Sequence, residues 1–287
     1  MAFALVRAMR PRQWVKNLFV LAPLVFSKHL FDREASVRAF VAFALYCAAA
    51  SAIYLVNDVA DAEADRAHPK KRERPVASGA LGPRDALLAA AVLGLAALVG
   101  GLFVSPSFAG TIAAYYALNF AYSARLKRVP YLDVLCIAAG FELRVLGGAS
   151  AAGVPASLYL VLATFFLASF LGLGKRLHEL GQLRATERRS VLARYDERVL
   201  RPFLLVFGLV PVGIYVSYVI DPETQETFGS AWLPATTVFA VIGVFRFLHL
   251  VKSERDAEGP TEAMLRDPIF IANFVLWAAS ILLMLYA

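Results

Sequence analysis

Asn57, Asp58, Asp61 and Asp65 recur at intervals of three and four in the stretch NDVADAEADRAHPKKRERPVASG, residues 57–79. On a helix that spacing places all four oxygen-bearing side chains on one face. Acceptors so crowded repel one another unless a cation neutralises them. An oxygen-only set without Cys or His points to Mg2+, which takes a few carboxylates and completes its shell with water and substrate phosphates. Asp58, Asp61 and Asp65 are therefore the candidate metal ligands and catalytic acids, with Asn57 beside them as a substrate contact. Lys70, Lys71, Arg72 and Arg74 follow within one loop, where ammonium and guanidinium donors suit the phosphate oxygens that a metal leaves uncovered. The chemistry suggested is a diphosphate held through magnesium at the mouth of an apolar helix. The plainer reading, a solvated mixed-charge loop, leaves the one-sided repeat of acids unexplained.

The elements that must position these groups are membrane helices. The chain has 287 residues, 59% of them hydrophobic, and a mean hydropathy of +0.62, which is too apolar for an ordinary soluble domain. It reads as one all-α, polytopic integral membrane domain covering residues 1–287. Nine spans are predicted, each near the roughly 20 residues that a bilayer core requires. The first lies within residues 1–30, which resemble a signal peptide in outline but lack its small-residue cleavage site. The others cover about 37–56, 86–104, a stretch ending near 122, 131–149, a stretch ending at 174, 202–220, 232–251 and 268–286. Cys47 and Cys136 fall inside apolar runs and read as packing residues.

Charge tests the alternation of loops. All of the 29 Lys and Arg except Lys28, Arg33, Arg38 and Arg144 fall at the N-terminus, after even-numbered spans or at the adjoining helix ends. The positive-inside rule then puts the N-terminus and residues 57–79, 122–133 and 175–201 on the cytoplasmic face. A net charge of +7 so distributed signals topology and anion binding and gives no support to nucleic acid as a partner. In residues 175–201, Leu183, Val191, Leu192, Tyr195, Val199 and Leu200 recur at near-helical spacing among arginines, the pattern of an amphipathic element on an anionic membrane surface.

A second polar group follows the fourth span. Tyr122, Lys127 and Asp133 repeat the arrangement of the first: a helix end, a short basic loop and an acid at the next helix start. Asp133, Gly140 and Arg144 share a helical face, and Glu142 sits about half a turn away. An arginine and a glutamate inside an apolar span cost about 2.5 to 3.5 kcal/mol each on insertion scales, which points to a polar interior or cavity. A structural ion pair buried between helices is the alternative for Glu142 and Arg144, and also for Asp133, although Asp133 sits at the interface where a substrate phosphate would be. Lys16 and Asn17 open the first span within reach of phosphate, although Lys16 serves equally well as a snorkelling anchor. Lys175 and Arg176 stand after Gly172 and Gly174, as a lid over an anion or as a topology signal. His68, followed by Pro69, reads as a loop hydrogen-bonder.

The run NDxxDxxxD from Asn57 to Asp65 resembles the first aspartate motif of the UbiA-type intramembrane prenyltransferases. RPRQWVKN at 10–17, HPKKRERPVASG at 68–79, YSARLKRVPYLDV at 122–134, GFELR at 140–144 and GKRLHEL at 174–180 are most similar to the branch of that superfamily that moves phosphoribose onto a lipid. The resemblance covers the whole chain. It implies a nine-helix bundle with cytoplasmic cap loops in a bacterial plasma membrane, and Mg2+ as cofactor. It further implies 5-phosphoribosyl 1-diphosphate and a polyprenyl phosphate as substrates, with diphosphate released; a homo-oligomer is left open. The product would be a precursor of arabinose-containing cell-envelope polymers. The second motif departs from that of the aromatic-prenylating members, where a DxxxD pair is usual, because Asp133 is followed by Val134, Leu135, Cys136 and Ile137. The alternative within the fold moves a prenyl group from an allylic diphosphate to an aromatic or other acceptor. A transporter is the alternative outside it, but its charges belong at the bilayer midplane and not at cytoplasmic helix ends.

Overall fold

The computed structural model describes residues 2–182, 192–253 and 260–286, and no strand occurs among them. The α-helices run in the order α1 (Ala2–Ala8), α2 (Ala22–Phe26), α3 (Arg33–Ala60), α4 (Ala62–Ala67), α5 (Pro83–Val104), α6 (Pro106–Ala124) and α7 (Leu132–Ala152), followed by α8 (Leu158–Gln182), α9 (Glu197–Ile220), α10 (Pro222–Phe228), α11 (Thr237–Ser253), α12 (Pro260–Met264) and α13 (Pro268–Tyr286). Six stretches among the described residues are long and apolar enough to cross a membrane: α3, α5, α7, the Leu158–Gly181 part of α8, α9, and Leu233–Lys252, with a shorter apolar helix at Pro268–Met284. The chain forms two compact units, residues 1–124 with 140–156, and residues 125–139 with 157–287.

In the first unit α3 is the central element. It packs along α5, and α5 along α6. Small residues permit the close approach: Ala42, Ala49, Ala50, Ser51 and Ala52 of α3 are all buried, as membrane helix interfaces favour. Asp32 starts the helix by accepting the backbone N–H groups of Glu34 and Ala35 at 2.9 and 3.0 Å, which satisfies two donors that have no intrahelical partner.

The N-terminal segment is not the single continuous helix expected from its apolarity. It breaks into α1, a 3₁₀ stretch over Pro11–Val20, and α2. Pro11 excludes the α conformation from the residue before it, and Arg10 is left-handed, with φ 55°. The 3₁₀ stretch then runs antiparallel to the end of α3. Arg10 pairs with Asp58, Trp14 donates to the Ser51 hydroxyl at 3.1 Å, and Asn17 donates to the Cys47 sulfur at 3.2 Å. Seven residues of 3₁₀ cover roughly 14 Å and eleven of α-helix roughly 16 Å, so the tighter winding keeps the two elements in step.

Gly148 of α7 lies where this segment ends. A Cβ there would overlap the carbonyl group of Val20, and backbone cannot yield as a flexible side chain does. Gly148→Ala should therefore lower stability by about 3 kcal/mol or more. Thermal unfolding in detergent, with Gly110→Ala as a control at a position open to a methyl group, measures it.

The second unit is built around α8 and α9. Phe170 and Phe247 meet edge to face at 4.8 Å between centroids, inside a cluster that also holds Leu192, Tyr195, Leu200 and Leu204. This corrects the expectation of a surface-lying amphipathic element. Residues 175–182 continue α8, and Leu192, Tyr195 and Leu200 are buried in the protein core while Val199 stays exposed. Leu183 and Val191 lie outside the described residues.

Candidate functional site

The acid face forms where α3 gives way to α4. The chain stays nearly helical through the junction: the Asp61 N–H donates to the Asn57 carbonyl at 2.9 Å and the Asp65 N–H to the Asp61 carbonyl at 2.8 Å. Asp58 and Asp65 are buried, at 1% and 3% exposure. The basic loop is pinned above them by apolar residues, since Val76 and Leu81 are packed with Leu55 and Ala62 in one cluster. Arg66 donates to the Ala77 carbonyl at 3.2 Å. His68 behaves as the loop hydrogen-bonder expected, its Nδ1 accepting the N–H groups of Lys70 and Lys71 at 3.2 and 3.3 Å.

So anchored, the loop delivers Arg74 between the two buried acids. Its Nη1 stands 2.6 Å from Asp65 Oδ2 and 3.4 Å from Asp58 Oδ1. Lys71 Nζ is 4.0 Å from Asp65 Oδ1, and Arg10 pairs with Asp58 Oδ1 as well while lying over the Tyr54 ring at 5.0 Å. Three cations thus converge on two carboxylates. Asn57 accepts a hydrogen bond from Ser123 at 3.2 Å. Lys70 and Arg72 are exposed in the same loop, and Lys16 and Tyr122 are half-buried.

Among the described residues no three His, Cys, Asp or Glu side chains form a ready metal cage; Asp58, Asp61 and Asp65 are not pre-assembled around a single point, because Asp58 and Asp65 turn to Arg74. The donors still fit magnesium. Asp58 Oδ2 is buried with no hydrogen-bond partner among the described residues, and the half-buried Asp61 carboxylate three residues on is not engaged by Arg74. Mg2+ needs only one or two carboxylates when water and substrate phosphate supply the rest.

The second polar group divides between the two units. In the unit holding the start of α7, Asp133 is fully buried and paired with Arg176, Oδ2 to Nε 2.7 Å. Tyr195 donates to Asp133 Oδ1 at 2.5 Å and accepts the Tyr131 N–H at 2.8 Å. Burial pushes the Tyr195 phenol well above its ordinary value, and the bond to Asp133 adds to the shift. Glu179 holds Arg176 from the next turn. Asp133, expected as a substrate contact, is thus buried and paired with Arg176 and Tyr195. Lys127 is half-buried and Lys175 is exposed.

In the other unit, Arg144 donates to Asn17 Oδ1 at 2.8 Å, to the Gly140 carbonyl at 2.6 Å and to the Tyr115 hydroxyl at 3.1 Å. The structural ion pair weighed for Glu142 and Arg144 does not form. The two are separated by about 200° around the helix, and both carboxylate oxygens of Glu142 are buried without a hydrogen-bond partner among the described residues.

Sequence reasoning assigned no site role to Arg10, Tyr195 or Tyr115. The one local signal for Arg10 is the proline that follows it, which restricts its backbone. Tyr195 was legible as an apolar residue of an amphipathic stripe, and Tyr115 as one more aromatic of an apolar span, with no local signal for either polar tip.

The description of the UbiA prenyltransferase family matches residues 18–281. The decaprenyl-phosphate phosphoribosyltransferase of Mycolicibacterium smegmatis is 34% identical, over 96% of this chain and 91% of the relative. That of Corynebacterium glutamicum is 32% identical, over 100% and 88%. Among solved structures, a UbiA homolog from Archaeoglobus fulgidus bound to DMAPP and Mg2+ superposes with a TM-score of 0.70 at 17% identity, covering 98% of each chain, a likeness of fold. The chain belongs to the UbiA prenyltransferase family, and is accordingly a transferase.

Proposed function

We propose that this chain, as one integral-membrane domain, transfers 5-phosphoribose from 5-phosphoribosyl 1-diphosphate to a polyprenyl phosphate and releases diphosphate. The observation that carries the reading is Arg74 bridging Asp58 and Asp65 beneath a loop of further cations. It is supported by the names of the full-length relatives. The topology proposed has nine crossings, with the broken N-terminal segment, α6 and α13 added to the six apolar stretches. Basic loops and N-terminus face the cytoplasm of a bacterial plasma membrane.

In the reaction the bond from the ribose C1 to the diphosphate oxygen breaks, and a bond from C1 to an oxygen of the lipid phosphate forms. Negative charge develops on the leaving diphosphate. Asp58 and Asp61 would hold Mg2+, which supplies Lewis-acid stabilisation of that charge. Arg74, Lys71 and the exposed Lys70 and Arg72 bind the phosphate oxygens, and Arg10 pairs with Asp58 and orients it. Such preorganised charge is the largest contribution to many transfer reactions. The acceptor phosphate is anionic near neutral pH, so no general base is needed, in keeping with His68 serving the loop backbone. Asp133, paired with Arg176 and Tyr195, offers no second acid pair of the kind expected for an allylic diphosphate.

The test incubates membranes containing the expressed chain with ribose-labelled 5-phosphoribosyl 1-diphosphate, Mg2+ and a polyprenyl phosphate. Label should enter the lipid extract and disappear on chelation of the metal. Absence of label from the lipid, with prenyl transfer from an allylic diphosphate to an aromatic acceptor, would establish the other reaction.

A further inference from the structure

Among the described residues no carboxylate neutralises the charge of Arg144. It is 5% exposed and lies twelve residues into α7, one of the helices apolar enough to cross the bilayer. Its hydrogen-bond partners Asn17, Gly140 and Tyr115 are all neutral, and no carboxylate pairs with it among the described residues. The guanidinium lies against the rings of Tyr115 at 4.8 Å and Phe141 at 5.4 Å, and Phe19 braces Phe141 edge to face at 4.9 Å. Three of five N–H donors are used. Among the described residues one remains on each terminal nitrogen, the number that a two-point contact to a phosphate requires. Neutral acceptors and rings fix the orientation of the group but leave its charge in place. An uncompensated charge at this depth marks a ligand of opposite sign.

A phosphate group fits the two remaining donors, and depth bears on its source. Asn17, which orients Arg144, docks on Cys47, eleven residues before Asp58 on α3 and so roughly 16 Å towards the bilayer interior along the helix axis. A water-soluble donor meets the loop cations first, whereas a phosphate on a hydrocarbon tail arrives from the bilayer. In-line displacement also requires the acceptor oxygen on the far side of C1 from the leaving diphosphate. We propose that Arg144, oriented by Asn17 and Tyr115, binds the phosphate of the polyprenyl acceptor. This rests on the phosphoribosyl-transfer reading and adds the residue that selects the acceptor's charged head.

Purified chain in nanodiscs is titrated with a short polyprenyl phosphate, with the matching uncharged polyprenol, and separately with 5-phosphoribosyl 1-diphosphate and Mg2+. The wild type should prefer the phosphate over the alcohol by about tenfold or more, equivalent to about 1.4 kcal/mol. Arg144→Gln should abolish that preference while leaving donor affinity within about twofold, and Arg144→Lys should restore part of it, as charge without the fork. Should Arg144→Gln not fold, Asn17→Ala, which removes one orienting contact, should weaken the preference about threefold. Retention of the preference in Arg144→Gln overturns the assignment, as does loss of donor affinity in its place, which would give Arg144 to the sugar phosphates. A wild type that binds an allylic diphosphate but not the phosphoribosyl donor overturns the reaction itself.

Discussion

Asp58→Asn is expected to lower turnover by about 10²- to 10³-fold, the range seen when one preorganised electrostatic contact to a reacting group is removed. Asn keeps an oxygen for Arg10 and Arg74 to donate to, so the pairing at Oδ1 survives in outline. The change falls on Oδ2, the buried atom without a hydrogen-bond partner among the described residues, which becomes a donor that repels a cation. If that atom binds Mg2+, the magnesium concentration giving half-maximal rate should rise about tenfold or more, as loss of a contact in a metal's coordination environment does. Asp61→Asn separates this from folding. The Asp61 carboxylate is half-buried and is not held by Arg74, so its loss should change the magnesium dependence in the same direction with no shift in unfolding temperature. Unaltered magnesium dependence in both variants, with a lower unfolding temperature for Asp58→Asn, would make Asp58 a counter-ion to the arginines and nothing more.

The acids were legible in the sequence because helical spacing is local: residues three and four apart share a face whatever surrounds them. The choice of cation was not. Lys70, Lys71, Arg72 and Arg74 are equivalent in composition, and what singles out Arg74 is the burial of Val76 and Leu81 against α3 and α4, a tertiary matter. The apolar spans were legible for the same reason as the acids, since length and hydropathy are properties of a window. Apolarity failed in the first thirty residues, where Pro11 and the left-handed Arg10 break the helix and bring Asn17 beside Cys47. It also misled at residues 192–200, since a stripe of apolar side chains states that something must cover it, without saying whether the cover is lipid or protein. Here it is Phe170, Val244 and Phe247. The pairing of Asp133 with Tyr195, 62 residues apart, leaves no trace in local pattern.

Arg74 offers the sharpest separation of stability from chemistry. Both of its acid contacts come from a single nitrogen, Nη1, 2.6 Å from Asp65 and 3.4 Å from Asp58. Arg74→Met leaves two buried carboxylates sharing Lys71 and Arg10 at their margins. Stripping one partner from a fully buried pair costs about 3 to 5 kcal/mol, but the Arg74 side chain is 28% exposed and water screens part of the loss, so about 1 to 3 kcal/mol is expected. Arg74→Lys replaces one bridging nitrogen by another and should recover most of that stability. It should not recover the reaction, because an ammonium that bridges two carboxylates lacks the remaining guanidinium donors that would bind a phosphate. The Lys variant is therefore expected to unfold near the wild-type temperature yet to show a KM for the phosphoribosyl donor raised about tenfold, with the Met variant impaired in both. A Lys variant with wild-type KM would mean that the fork of Arg74 never leaves the acids to meet substrate, and the diphosphate would then have to be gripped by Lys70, Lys71 and Arg72 alone.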